Sequence, residues 1–151
     1  MSLTLKFEEQ DYVLLAEEID DAVELSRFNN GAQRLLPGTV ALTEAQLEAA
    51  IETAENWLMP YVSGQKGQVL EVKDSTGRLT SGLLAVLGTS ERSWSLAAIE
   101  QAFLKVVNLS TGRHAPAALN QHRLFVADLL LVRELAHHGQ VAGVRLSRDS
   151  H

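Results

Sequence analysis

The sequence predicts a mainly α protein in which four to five packed helices accompany a small β element. Apolar residues recur every three or four positions over four segments, the spacing typical of amphipathic helices. Residues that commonly begin or end helices flank those segments. Apolar runs typical of strands are short and lie near 69–73 and 141–146, while residues 3–7 are either a third strand or a hydrophobic lead-in.

The first predicted helix covers residues 10–28, because its apolar and acidic positions fall on opposite faces. The apolar stripe consists of Tyr12, Leu15, Ile19, Ala22, Val23 and Ser26. The acids are Glu17, Asp20, Asp21 and Glu24. Carboxylates at this spacing can coordinate a hard cation, but the loop carbonyls and tight glycine turn of a calcium site are missing. A solvated acidic face is therefore the favoured interpretation.

The second predicted helix begins at Thr43, because Thr43 and Gln46 have the spacing of a capping box. Pro60 ends it, since proline disfavours helical geometry in the residue before it. The polar stretch 63–67 is too short to separate two domains. Residues 78–87 are either a second strand or a short helix. Gly82 is unfavourable in both structures, and the helix is the favoured prediction.

Two further helices are predicted in the C-terminal half. Ser93 would cap a helix over 94–108, and the last helix would run over 116–137, from Pro116 to a stop at Gly139. The whole chain, 1–151, is predicted to be one globular domain. Its front half, 1–60, is acidic and helical, and its C-terminal helical half covers 79–139.

Composition and charge exclude several classes of function. The chain of 151 residues has a net charge of −6 and no cysteine. The acidic balance argues against nucleic acid as the main partner, and the missing thiols exclude disulfides and cysteine chemistry. Apolar runs are too short to cross a membrane and the N-terminus does not resemble a signal peptide, so a cytoplasmic protein is expected.

Two acid or base candidates lie in the last predicted helix, in a sequence that has no P-loop, dinucleotide fingerprint or nucleophile elbow. Asp128 falls at the centre of the apolar face, so it must be paired, hydrogen-bonded or neutral. A buried pair or an interface residue is favoured over a catalytic acid. His122 is the second weak catalytic candidate.

Glu134 and His137 have the Glu-x-x-His spacing of di-iron bundles, which need that motif on two helices. Here it occurs once, so the histidines at 137 and 138 are interpreted as cations at a helix C-terminus. The sequence predicts no metal site and no cofactor.

The segment 110–123 is the predicted ligand site, because free N–H groups at a helix start bind anions. Arg113 and His114 precede the start, and Asn120 and Arg123 lie in its first two turns. A phosphate or carboxylate would be the ligand. An ordinary turn between helices is the alternative interpretation, since turn chemistry explains the same residues.

The functional prediction is a self-associating helical adaptor or assembly module rather than an enzyme, because an almost uniformly apolar last helix must be covered on most sides. A homodimer and a basic protein partner are expected. The alternative is a small enzyme or ligand-binding protein that recognises an anionic group at 110–123, with Asp128 or His122 as acid or base. A second alternative, a helix-turn-helix DNA binder, has only Lys105 as a basic residue in its second helix.

Overall fold

The fold is α/β, with one six-stranded mixed sheet in the order β3-β2-β1-β4-β6-β5. A computed structural model describes residues 2–38, 42–111 and 123–148, with the side chains of 110 and 111 left out. The strands are β1 (Ser2–Phe7), β2 (Tyr12–Glu18), β3 (Asp21–Phe28), β4 (Val69–Asp74), β5 (Ser93–Ser95) and β6 (Gly143–Ser147). β1, β4 and β6 run parallel, and the other neighbours pair antiparallel.

The helices of the described ranges pack together with this sheet. They are α1 (Gly31–Leu35), α2 (Glu44–Leu58), α3 (Arg78–Gly82), α4 (Leu96–Thr111) and α5 (Arg123–Gly139). A 3-10 turn, Met59–Tyr61, follows α2, and a π-helical turn, Leu83–Leu87, continues α3. Within these ranges, no helix combines the length and the apolar character needed to cross a membrane.

The prediction of a mainly α fold is wrong, and the largest error concerns the predicted helix over 10–28. That segment forms the hairpin of β2 and β3, with Ile19 fully exposed at its tip. Val13 and Leu14 point to opposite faces of the sheet and are both buried. Two consecutive buried positions conceal the alternation that identifies a strand, and the acids around them mimic a helix face.

Other sequence predictions are confirmed. The capping box at the start of α2 is formed, with Gln46 N donating to Thr43 Oγ1 at 3.1 Å and Thr43 N to Gln46 Oε1 at 3.2 Å. The strands predicted near 3–7, 69–73 and 141–146 exist as β1, β4 and β6. The helix favoured over 78–87 is present. The predicted helix cap at Ser93 is wrong, because Ser93 belongs to β5 and α4 begins at Leu96.

Helix α5 lies at the centre of the helical layer. It contacts α1, α2, α3 and α4, and its apolar residues from Phe125 to Ala136 share one core with the inward face of the sheet. The chain thus covers its most apolar helix by itself. That apolar character therefore gives no argument for self-association, and the homo-oligomer stays a prediction, as does the single-domain assignment.

Candidate functional site

A cluster of polar side chains lies where the parallel strands end. β1 ends at Phe7, β4 at Asp74 and β6 at Ser147, so these carboxyl ends share one edge of the sheet. In open α/β sheets this edge is where ligands bind. The loop between β1 and β2, the start of α3 and the start of α5 meet here. This edge is the candidate site.

Asp74 fixes the start of α3. Its fully buried carboxylate accepts hydrogen bonds from Leu79 N at 3.3 Å and from Thr80 N and Oγ1, both at 2.8 Å. Gly77, with φ of 75°, makes the tight turn between strand and helix possible. The free N–H groups of this helix start are thus satisfied within the chain, and Arg78 is held as the first residue of α3.

Arg78 and Tyr12 converge on Asp128 from two other elements. Arg78 Nε donates to Asp128 Oδ2 and Arg78 Nη2 to Oδ1, each at 2.7 Å. Tyr12 Oη donates to Oδ1 at 2.7 Å. Asp128 is fully buried, whereas the Arg78 side chain keeps 24% of its surface exposed. The carboxylate therefore holds the guanidinium in a fixed orientation, in a bidentate pair that lysine could not form.

Burial dominates the electrostatics of this network. It raises the pKa of Asp128 to about 6, against the lowering effects of the Arg78 pair and the Tyr12 hydrogen bond. Burial and the neighbouring Asp128 charge raise the pKa of Tyr12 well above its ordinary value. Desolvation opposes the charge of Arg78, yet its bonds to Asp128 outweigh this and raise its pKa. The side chain of Arg78 therefore stays cationic.

The pKa of Asp128 predicts a pH dependence of stability. Between about pH 4, the ordinary range of aspartate, and pH 6, the folded chain keeps a proton that the unfolded chain has lost. The stability that protonated Asp128 contributes to the folded chain is present in full below about pH 4 and is lost as the pH rises through 6. Relative to Asp128→Asn, the wild-type free energy of unfolding should fall by about 3 kcal/mol over this range. Urea denaturation of both proteins at pH 4 and pH 7 measures it; a constant difference would contradict the raised pKa.

A small cavity of about 140 Å³ opens beside Arg78. It is lined by Glu9, Gln10, Asn30, Ala32, Gln33, Arg78 and Leu124. The guanidinium and three side-chain amides supply hydrogen-bond donors, and among the described lining residues Glu9 is the one carboxylate. Asp128 occupies Nε and Nη2 of Arg78, and within the part of the chain that the structure describes no acceptor is bonded to Nη1, which can therefore face a ligand. The lining suits a small anion.

Most of the sequence-predicted ligand site lies outside the described residues. Arg113, His114, Asn120 and His122 belong to the stretch 112–122, which the structure does not describe. Arg123 is described and buried; its Nη1 donates to Pro37 O at 3.1 Å, and burial lowers its pKa. The ligand assignments of these residues stay predictions.

Asp128 is buried and paired, the arrangement that sequence reasoning favoured for it. Its carboxylate does not reach solvent, so it can act on a ligand through the orientation of Arg78. Its assignment as a catalytic acid stays a prediction. Sequence reasoning missed Asp74, Arg78 and Tyr12. An aspartate at the end of a predicted strand, before a turn and a helix start, was the signal for Asp74; Tyr12 was hidden by its assignment to a helix.

Solved structures share this fold, although no family model and no curated protein matches the chain. The type II variant of the Aquifex aeolicus Ppx/GppA phosphatase is 11% identical, with a TM-score of 0.66 over 97% of this chain and 53% of that chain. An exopolyphosphatase from Cytophaga hutchinsonii ATCC 33406 is 13% identical, with a TM-score of 0.61 over 97% of this chain and 53% of that chain. The chain thus spans about half the length of these structures.

The prediction of a self-associating helical interaction module is wrong. It depended on a mainly helical fold, and the chain instead has an α/β fold like that of these phosphatase and exopolyphosphatase structures. Identities this low establish likeness of fold alone, because one fold hosts many unrelated functions.

Proposed function

We propose that the chain binds a small phosphate-bearing anion in the cavity beside Arg78, as a ligand-binding protein or a small enzyme. The observation that carries the proposal is the bidentate pair of Arg78 with a fully buried carboxylate, which presents a fixed cation to a cavity rich in amide donors. A preoriented donor loses little conformational freedom on binding. Leu124 of α5 belongs to the lining, and in sequence it directly follows the stretch 110–123 for which an anion was predicted.

Size and fold favour a single phosphate group. A cavity of about 140 Å³ is smaller than the ~300–1,000 Å³ of sites for drug-sized ligands, so a terminal phosphate would enter rather than a whole nucleotide. The phosphatase and the exopolyphosphatase that share the fold support this choice over a carboxylate by analogy.

Two charge changes in the lining should move phosphate affinity in opposite directions. Glu9→Gln removes the carboxylate of the lining and should tighten binding several-fold, while Gln33→Glu should weaken it by a similar factor. A unit charge within about 5 Å is worth roughly 1 kcal/mol even in water. Melting temperature against phosphate concentration, with chloride at equal ionic strength as reference, measures both effects.

Gln101→Glu is the matched control, because it makes the same chemical change on the exposed surface of α4. It should leave phosphate affinity unchanged within about twofold, since Gln101 is not among the described residues that line this cavity and an exposed charge is largely screened. Equal effects of Gln33→Glu and Gln101→Glu, or no effect of Glu9→Gln, would contradict binding in this cavity.

Phosphoanhydride hydrolysis is a second candidate function, favoured by the presence of Glu9 in the same lining as Arg78. A carboxylate beside a bound phosphate can accept a proton from an attacking water. Glu9→Gln would then tighten phosphate binding and abolish phosphate release from inorganic polyphosphate. Tighter binding without any hydrolysis by the wild type would assign the site to binding alone.

A further inference from the structure

We propose that Glu55, Glu134 and His138 bind one divalent transition-metal ion of the zinc type where α2 meets the last turn of α5. Glu55 belongs to α2, and Glu134 and His138 are one helical turn apart on α5. One atom from each residue lies within 4.8 Å of the other two. The site is independent of the cavity beside Arg78, because His138 is fourteen residues after Leu124, or roughly 20 Å along α5.

The two separations that involve His138 match those between ligands of a single ion. His138 Nε2 lies 3.1 Å from Glu55 Oε1 and 3.7 Å from Glu134 Oε1. With metal–ligand bonds of about 2.0–2.2 Å, neighbouring ligands lie ~3.0 Å apart around an octahedral ion and ~3.4 Å apart around a tetrahedral one. The two distances from His138 are therefore within a few tenths of an ångström of those that an ion needs, and the two carboxylate oxygens lie within 4.8 Å of each other.

An unpartnered buried oxygen points to a ligand here. Glu134 is fully buried, and its Oε2 is paired with Arg133 Nη1. Its other oxygen, Oε1, has no hydrogen-bond partner among the described residues and faces the imidazole of His138. Buried carboxylate oxygens are normally satisfied by a donor or a metal ion, so an unsatisfied one aimed at two other ligand groups marks a site.

The donor set selects the class of ion. Two carboxylates and one imidazole suit Zn²⁺ and its neighbours in the first transition series better than Ca²⁺ or Mg²⁺, which prefer oxygen alone. The Glu55 side chain is 39% exposed and that of His138 is 25% exposed, so the ion has an entry path and room for a water ligand. Such a site would tie the end of α5 to α2.

Zinc titration of the chelator-treated full chain tests the proposal. Calorimetry and equilibrium dialysis should show one Zn²⁺ bound through this cluster, with a higher melting temperature. Glu134→Gln preserves the shape of the buried side chain and should weaken this binding at least tenfold, as should His138→Ala. Glu55→Gln, an exposed change that spares the core, should do the same and keeps the test valid if Glu134→Gln does not fold.

A matched control is the neighbouring pair of His137 with Glu100, which lie 2.7 Å apart and have no third ligand group beside them among the described residues. His137→Ala should leave zinc affinity and the zinc-induced rise in melting temperature unchanged. The proposal is overturned if the wild type binds no Zn²⁺ at micromolar concentrations. It is also overturned if His138→Ala and Glu55→Gln bind zinc as the wild type does, or if His137→Ala abolishes binding.

Discussion

Asp128→Ala is expected to lower the free energy of unfolding by about 3–5 kcal/mol at pH 7.5. The change leaves the partly buried guanidinium of Arg78 without its counter-charge and the buried hydroxyl of Tyr12 without its acceptor. Breaking a buried ion pair by removing one partner typically costs this much. Urea denaturation followed by circular dichroism measures the loss.

The double variant Asp128→Leu with Arg78→Met shows how much of the lost stability comes from leaving one charge of the pair without its partner. It removes both charges and fills the space with apolar groups, so it should recover much of the stability that Asp128→Ala loses. An exposed carboxylate of α2 provides the reference, since Glu48→Ala should change stability by no more than about 0.5 kcal/mol. Equal small effects of Asp128→Ala and Glu48→Ala would contradict the buried pair.

Leu130→Ala is expected to destabilise the chain by about 2–5 kcal/mol, through lost burial and the cavity it leaves. Leu130 is fully buried in α5, the helix that contacts α1, α2, α3 and α4. Leu104 in α4 is the matched control, because its side chain is 59% exposed. Leu104→Ala should change the free energy of unfolding by less than about 1 kcal/mol. Similar losses in the two variants would contradict the central position of α5.

Local signals in the sequence were reliable where one interaction decides the structure. The capping box of Thr43 and Gln46 depends on two adjacent hydrogen bonds, and it is present. The strands β4 and β6 were found from short apolar runs, but their parallel pairing joins residues more than seventy positions apart. Nothing in local periodicity encodes such a pairing.

The hairpin of β2 and β3 shows why the fold class was missed. Its strands contain leucine, alanine and glutamate, which also suit a helix, and its turn lacks the Asn-Gly or Asp-Gly signal of a tight hairpin. Val13 is buried on the face opposite Leu14, so burial does not alternate along β2. Pairing with β1 overrode the helical pattern.

Only one residue of the candidate site, Asp128, could be predicted from the sequence. Asp128 stood out because a carboxylate at the centre of an apolar helix face requires a partner. That partner, Arg78, comes from fifty positions earlier and Tyr12 from 116 positions earlier. Such convergence depends on the sheet topology, which places the start of α3 and the start of β2 beside α5.

A titration of ¹⁵N-labelled protein with inorganic phosphate, followed by ¹H–¹⁵N NMR, tests the central claim most directly. Binding beside Arg78 predicts saturable shifts concentrated at the side-chain amides of Gln10, Asn30 and Gln33, and at the Arg78 guanidinium. The amide of Gln101 on α4 should not shift beyond the effect of matched chloride. Shifts confined to residues 112–122, or no saturable shift at all, would contradict phosphate binding in the cavity.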